Sequence, residues 1–236
     1  MSKDSGVRPE AGVIESSDEA EAQNFLREQL VNTDYELSML AADCDPSERA
    51  RLQLNKANAL LGLEQKANAW DVARQALDTF IEQQRWSDAV EACDILYQTE
   101  QPASIIALIH GVWLSVTFPI DPEHSIVMLT YVVDETPNDS DGGAVAAATA
   151  HYIVGLRATD EQHDSLSFLT TNLLAKVAQR HGDVKSQEAL DFWMEKMELN
   201  DPQIFLPRMA KVLDAIVNEN SWWFDRDALR NQLPVN

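Results

Sequence analysis

The chain has 236 residues, 45% of them hydrophobic, which is ample for a continuous core and excludes disorder of the whole chain. Its 39 Asp and Glu against 18 Lys and Arg give a formal net charge of −21, a field that repels phosphate backbones and anionic lipid surfaces and so argues against nucleic acid as partner. Cys44 and Cys93 are far apart and form no C-x-x-C pair, so no disulfide framework or thiol-zinc site is indicated and a reducing cytoplasm is the natural setting.

The opening, MSKDSGVRPEAGVIESSDEAEAQ, lacks the apolar run of a secretory signal and carries acids that a transit peptide avoids. Met1 to Glu19 is expected to be a flexible acidic tail, and residues 20–236 a single helical domain. Apolar residues spaced by three and four then predict helices over Ala20–Ala42, Pro46–Gln65, Ala67–Gln84, Trp86–Glu100, Ala103–Thr117, Pro122–Glu135, Gly143–Ala158, Asp164–His181, Lys185–Glu198, Gln203–Asn220 and Asp225–Gln232. Asp45, Asp121 and Asp201 each precede a proline, which places an acceptor at the N-cap and a fixed φ in the first turn.

Two stretches compete with this all-α reading. Ser125–Val133 is rich in β-branched residues and has strand propensity, although its proline-started opening favours a helix. Gln101–Ile120 carries no formal charge and is just long enough to span a bilayer. Bounded by prolines, holding His110 and without flanking Lys or Arg, it is expected instead to lie at the centre of a soluble fold.

About eleven helices joined by short turns raise the question of a repeat. Pro102, Pro137 and Pro202 each close a predicted helix and lie about one and two units of ~34 residues apart. In Val72–Pro102, the residues Ala73, Ala76, Leu77 and Phe80 alternate with Ala89, Cys93 and Leu96 as the packing faces of two helices. A second frame pairs Ile109, Val112, Trp113 and Val116 with Ser125, Leu129 and Val132; a third pairs Leu174, Val177, Ala178 and His181 with Leu190, Met194 and Met197. Over about half the chain this pattern resembles tetratricopeptide repeats, with Leu77 and Trp113 standing where the family places a small residue. The resemblance implies a right-handed stack of antiparallel helical hairpins, each covering the apolar face of the last. Ser221–Pro234, SWWFDRDALRNQLP, suits a C-terminal capping helix whose Trp222, Trp223 and Phe224 pack on the core or, if exposed, anchor a partner.

Candidate chemistry is sparse. PNDSDGG, Pro137–Gly143, resembles an EF-hand loop, but Pro137 and Ala148 would occupy its first and twelfth positions, where calcium needs an oxygen and a bidentate Glu. A turn is expected there. The pairs Asp121/His124 and Asp160/His163 could bind a metal in an all-α enzyme or regulator, yet each begins a helix, whereas carboxylate-bridged centres use mid-helix ligands. No P-loop, dinucleotide fingerprint, H-E-x-x-H or G-x-S-x-G motif occurs, so neither catalysis nor a cofactor is expected.

Between Arg85 and Arg157 there is no Lys or Arg. The acids of this interval, among them Asp88, Glu91 and Asp94, lack cationic neighbours within it and are expected either to steer a basic partner or only to solubilise. The expected function is therefore a cytoplasmic adaptor or assembly chaperone holding a basic protein or peptide. From the family pattern, Asp71, Arg74, Asp78 and Glu82, followed by His110 and Leu114, would line its groove. The alternatives are the metal-dependent protein built on Asp121, His124, Asp160 and His163, and an oligomeric structural protein whose acids serve solubility.

Overall fold

In a computed structural model of the chain, residues 11–217 and 221–233 are described, with side chains from residue 19 onward. Eleven α-helices and no strand occur among them. In chain order these are α1 (Ala11–Met39), α2 (Pro46–Gly62), α3 (Lys66–Glu82), α4 (Trp86–Gln98), α5 (Ser104–Thr117), α6 (Pro122–Glu135), α7 (Asp141–Arg157), α8 (Asp160–Gly182), α9 (Gln187–Lys196), α10 (Pro202–Ile216) and α11 (Arg226–Arg230). Ser125–Val133 lies inside α6, so its β-branched residues pack a helix core instead of pairing as a strand.

The expected proline-led starts are present. Asp45, Asp121 and Asp201 accept the N–H groups of Ser47, Glu123 and Gln203 at 2.8, 2.9 and 2.8 Å, satisfying donors that the first helical turn leaves unpaired. Three boundaries differ from expectation by more than three residues. Residues 11–19, assigned to the tail, belong to α1, while residues 1–10 of that tail lie outside the described residues. α8 begins at Asp160, ahead of the expected Asp164, because Thr159 and Gln162 form a capping box. α10 ends at Ile216, and residues 218–220, expected to extend it, lie outside the described residues.

Several helices stop without glycine. Glu64, Gln84, Glu100 and Glu198 have φ between 55 and 59°, the left-handed conformation that closes a helix end. At three of them the next residue reaches back to a carbonyl of the last turn: Gln65 N–H to Leu60 O, Arg85 N–H to Phe80 O and Leu199 N–H to Met194 O, at 2.9, 2.8 and 2.9 Å. These hydrogen bonds outweigh the steric cost of a Cβ in this region, about 1–2 kcal/mol, and explain how a chain with eight glycines makes so many tight turns.

Consecutive helices from α1 to α8 pack on one another, and α2 touches α4, α4 touches α6 and α6 touches α8. Side-chain bonds follow the same steps. Arg51 reaches Asp88, Tyr97 reaches Glu135, Gln162 reaches Asp121 and Lys176 reaches Asp134, over separations of 37, 38, 41 and 42 residues. Those spacings exceed the roughly 34 residues of a tetratricopeptide unit. Three odd-numbered helices are covered from the other end of the chain: α10 packs on α7 and α5, and Ser221–Leu233 lies against α5 and α3.

α5 lies at the centre of the core. Ala107 to Leu114 are all buried, which accounts for the uncharged stretch without a bilayer; no helix among the described residues is long and apolar enough to cross a membrane. Gly111 permits the close approach of α4 and α6, since a Cβ there would meet Met128 Sδ at 2.6 Å and Cys93 Cβ at 2.8 Å.

Candidate functional site

The richest assembly of polar and aromatic groups lies where Ser221–Leu233 crosses α5 and α3. His110, one turn beyond Ile106 on α5, has its Nδ1 2.6 Å from the Ile106 carbonyl. A carbonyl can only accept, so Nδ1 carries the proton. Nε2 is then an acceptor, and it takes the Trp223 backbone N–H at 2.8 Å. Both ring nitrogens are thus satisfied in the neutral tautomer. Burial pushes the His110 pKa down to about 4, assisted by the nearby positive charges of Arg74 and Arg226 and opposed by the bond to Ile106.

Three successive aromatic rings surround this imidazole. Trp222, Trp223 and Phe224 lie with centroids 4.7, 4.5 and 4.9 Å from it, Trp223 stacked and Phe224 edge-on. Trp70 of α3 meets Trp223 edge-on at 6.0 Å, and Trp113 of α5 meets Phe224 at 5.5 Å and Trp222 at 6.2 Å. Guanidinium groups close the cluster from outside, Arg74 4.4 Å from the Trp223 ring centre and Arg226 4.1 Å from that of Trp222. Such contacts combine apolar burial with attraction of a cation to the ring face. Two donors go unmet: the buried indole N–H groups of Trp113 and Trp222 have no hydrogen-bond partner.

Of the residues expected to line a groove, Arg74 and His110 meet here. His110 and Leu114 are both 0% exposed, because the C-terminal segment and α10 lie over their face; in this state neither can touch an external partner. Asp78 pairs with Arg74 along α3. Asp71 borders Asn68 and Lys56 on the side of α3 nearer α2, and Glu82 is exposed at the helix end. Trp70, Trp113, Arg226 and Arg230 belong to the cluster but were not among the expected residues. Their signal in the sequence was the run Trp222–Trp223–Phe224, which has rings enough to demand an aromatic counterpart.

The acids of α4 are elsewhere. Asp88 is bridged by Arg51 at 3.1 Å and Arg85 at 2.8 Å, and Glu91 by the same Arg51. Asp94 is half-buried between α4 and α6, accepts from Gln98 at 2.8 Å and from Tyr131, and has its pKa raised by burial. The interval's lack of cations therefore does not leave these acids bare: Arg51, Arg85, Lys66 and Lys176, outside the interval, reach Asp88, Glu100 and Asp134.

In PNDSDGG, Pro137–Ser140 form a turn and Asp141–Gly143 open α7. Ser140 caps α7 by accepting the Gly142 N–H at 3.1 Å, while Asp141 faces His181 at 3.1 Å and Arg208 at 3.5 Å. The paired Asp and His residues do not converge. Asp121 caps α6 and accepts from Gln162 at 3.2 Å, His163 lies beside Asp164, and His124 Nδ1 is buried without a partner. Among the described residues no group of three His, Cys, Asp or Glu side chains could hold a metal ion. No family model, curated protein or solved structure matches the chain.

Proposed function

We propose that this chain is a non-catalytic protein-interaction module, a stack of tetratricopeptide-like helical hairpins in which the odd-numbered helices take up a basic polypeptide segment as an adaptor or assembly chaperone would. The observation that carries the reading is the handling of Ser221–Leu233. α3 and α5 grip this short segment through one main-chain hydrogen bond to His110 and through stacked rings, a form of capture that suits any polypeptide offering the same groups. The contacts of each even helix with the next, and the side-chain bonds stepping between them, fit a hairpin stack.

The net charge favours a basic partner. Ion pairs inside the fold neutralise fields locally but leave the net −21 unchanged, so the chain as a whole attracts cations and speeds their encounter. Asp71 and Glu82 are exposed acids of α3, the helix whose Trp70 and Arg74 meet the aromatic cluster. Asp88 and Glu91 are engaged by Arg51.

The test is capture from the source cell by immobilised full chain, eluted with rising salt and repeated with Asp71→Lys plus Glu82→Lys. The reading expects a specific protein that is released by salt and retained less by the variant. A chain that retains nothing, or retains the same protein regardless of charge, contradicts it.

A further inference from the structure

We propose that the face formed by Trp70, Arg74, His110 and Trp113 is a docking site for a partner segment with two adjacent aromatic residues and a net positive charge, and that Trp222–Trp223 of the same chain occupies it as a displaceable stand-in. The proposal rests on the interaction-module reading and names what that module recognises.

Three observations favour displacement over permanent packing. The first is incomplete burial: within Ser221–Leu233 only Leu229 is fully buried, and Trp222, Trp223 and Phe224, though packed on the core, remain partly exposed. A cap integral to the core would bury its large rings as fully as α5 buries Ile109 and Val112.

The second is incomplete bonding. Trp113, 3% exposed, has a buried indole N–H with no acceptor, and so has Trp222, which meets it across the interface. A buried donor left unmade weakens an interface, and supplying its acceptor strengthens it. A segment placing a carbonyl or side-chain oxygen opposite Trp113 would bond where the chain's own residues do not.

The third is charge. Asp225, Arg226, Asp227 and Arg230 cancel within the resident segment, so beyond the Arg226–Asp214 pair at 2.8 Å it gains little from the acidic field of the rest of the chain. A segment with the same aromatic pair and cations in place of Asp225 and Asp227 would gain from it. Tethering adds to the His110 hydrogen bond, the ring contacts and the Arg226–Asp214 pair that hold the resident in place: a short connection gives an effective concentration of the order of millimolar. Against a free segment of about 10 μM intrinsic affinity, that tether suppresses binding about 100-fold.

The experiment uses the full chain with a protease site introduced between Val217 and Ser221, folded and then cut. The probe is a labelled synthetic peptide of residues 221–233, alongside one carrying Asp225→Lys and Asp227→Lys. The cut chain should keep its helical circular dichroism and bind the probe at micromolar concentration. The uncut chain should bind it about 100-fold more weakly, and the lysine-bearing probe should bind the cut chain several-fold more tightly, an advantage that salt removes. In the uncut chain Trp223→Ala should raise probe uptake, which reads the same competition without cutting.

A cut chain that holds its fragment and takes up no probe, or that loses its helices as the fragment leaves, overturns the proposal and makes the segment a structural cap. An uncut chain that dimerises by exchanging the segment, with no preference for the lysine probe, overturns it in favour of a second copy as occupant. If salt-sensitive capture from the cell succeeds while peptide exchange fails, only this proposal falls. If exchange succeeds and capture retains nothing, the broader reading falls instead.

Discussion

Protonation of His110 should loosen the C-terminal segment and destabilise the fold. Nδ1 already donates to Ile106 O, and Nε2 accepts the Trp223 N–H; a proton on Nε2 would turn that acceptor into a donor facing another donor, beside Arg74 and Arg226. In the unfolded chain histidine titrates near its ordinary value of 6.5, whereas in the fold it is pushed down to about 4. As pH falls from 6.5, the unfolded chain takes up the proton first, so stability that is fully present above 6.5 is lost progressively until about 4. The full displacement is worth about 3 kcal/mol. Urea unfolding followed by circular dichroism should be run at several pH values on the wild type and on His110→Gln, which does not titrate. Carboxylates common to both cancel in the difference. The wild type's advantage should shrink by about 3 kcal/mol between pH 7 and 4. A difference constant to within about 0.5 kcal/mol, the additivity expected of independent sites, would refute the bonding pattern assigned to His110.

Other consequences follow from local geometry. Gly111→Ala would press a methyl against Met128 Sδ and Cys93 Cβ and should cost about 1–3 kcal/mol in chemical denaturation; a neutral result would mean that α4 and α6 shift freely around α5. Gln84→Gly, at an exposed φ of 57°, should stabilise by about 1 kcal/mol, since glycine enters this region without steric cost. Cys93 is buried with its thiol pushed up by desolvation, while Cys44 is partly exposed. A thiol reagent should therefore modify one cysteine in the native chain and both in denaturant.

The helices were legible because their signals are local. Asp-Pro starts at Asp45, Asp121 and Asp201 act within one turn, and the apolar spacing of residues such as Ala73, Ala76, Leu77 and Phe80 records a face that the structure buries. Errors fell where a different signal ruled. The start of α8 depends on Thr159 with Gln162, a capping box whose acceptor and donor are ordinary polar residues on their own. Helix ends at Glu64, Gln84 and Glu198 use left-handed non-glycine residues whose preference is set by returning hydrogen bonds, not by side-chain type. His110 was recognisable as a histidine on an apolar helix. Its partner, the N–H of Trp223, lies 113 residues away, and no periodicity reports a contact between a helix face and a later aromatic run.

The same limit applies to charge, and it separates two properties that the sequence presents as one. An interval without Lys or Arg reads as a bare acidic surface, but stacking successive helices brings Arg51 to Asp88 and Glu91, Lys66 to Glu100 and Lys176 to Asp134. With Arg51 42% and Asp88 12% exposed in their side chains, even the best shielded of these bridges leaves its cation open to water, where a pair contributes about 1 kcal/mol or less. They therefore align neighbouring helices more than they hold the fold together; the buried faces of α4, α5 and α6 do that. Nor do they diminish the excess of acid over base, which is fixed by composition. Interlocking charges and a long-range field thus coexist: the paired acids set how the helices register, and the unbalanced remainder acts on any charged molecule that approaches.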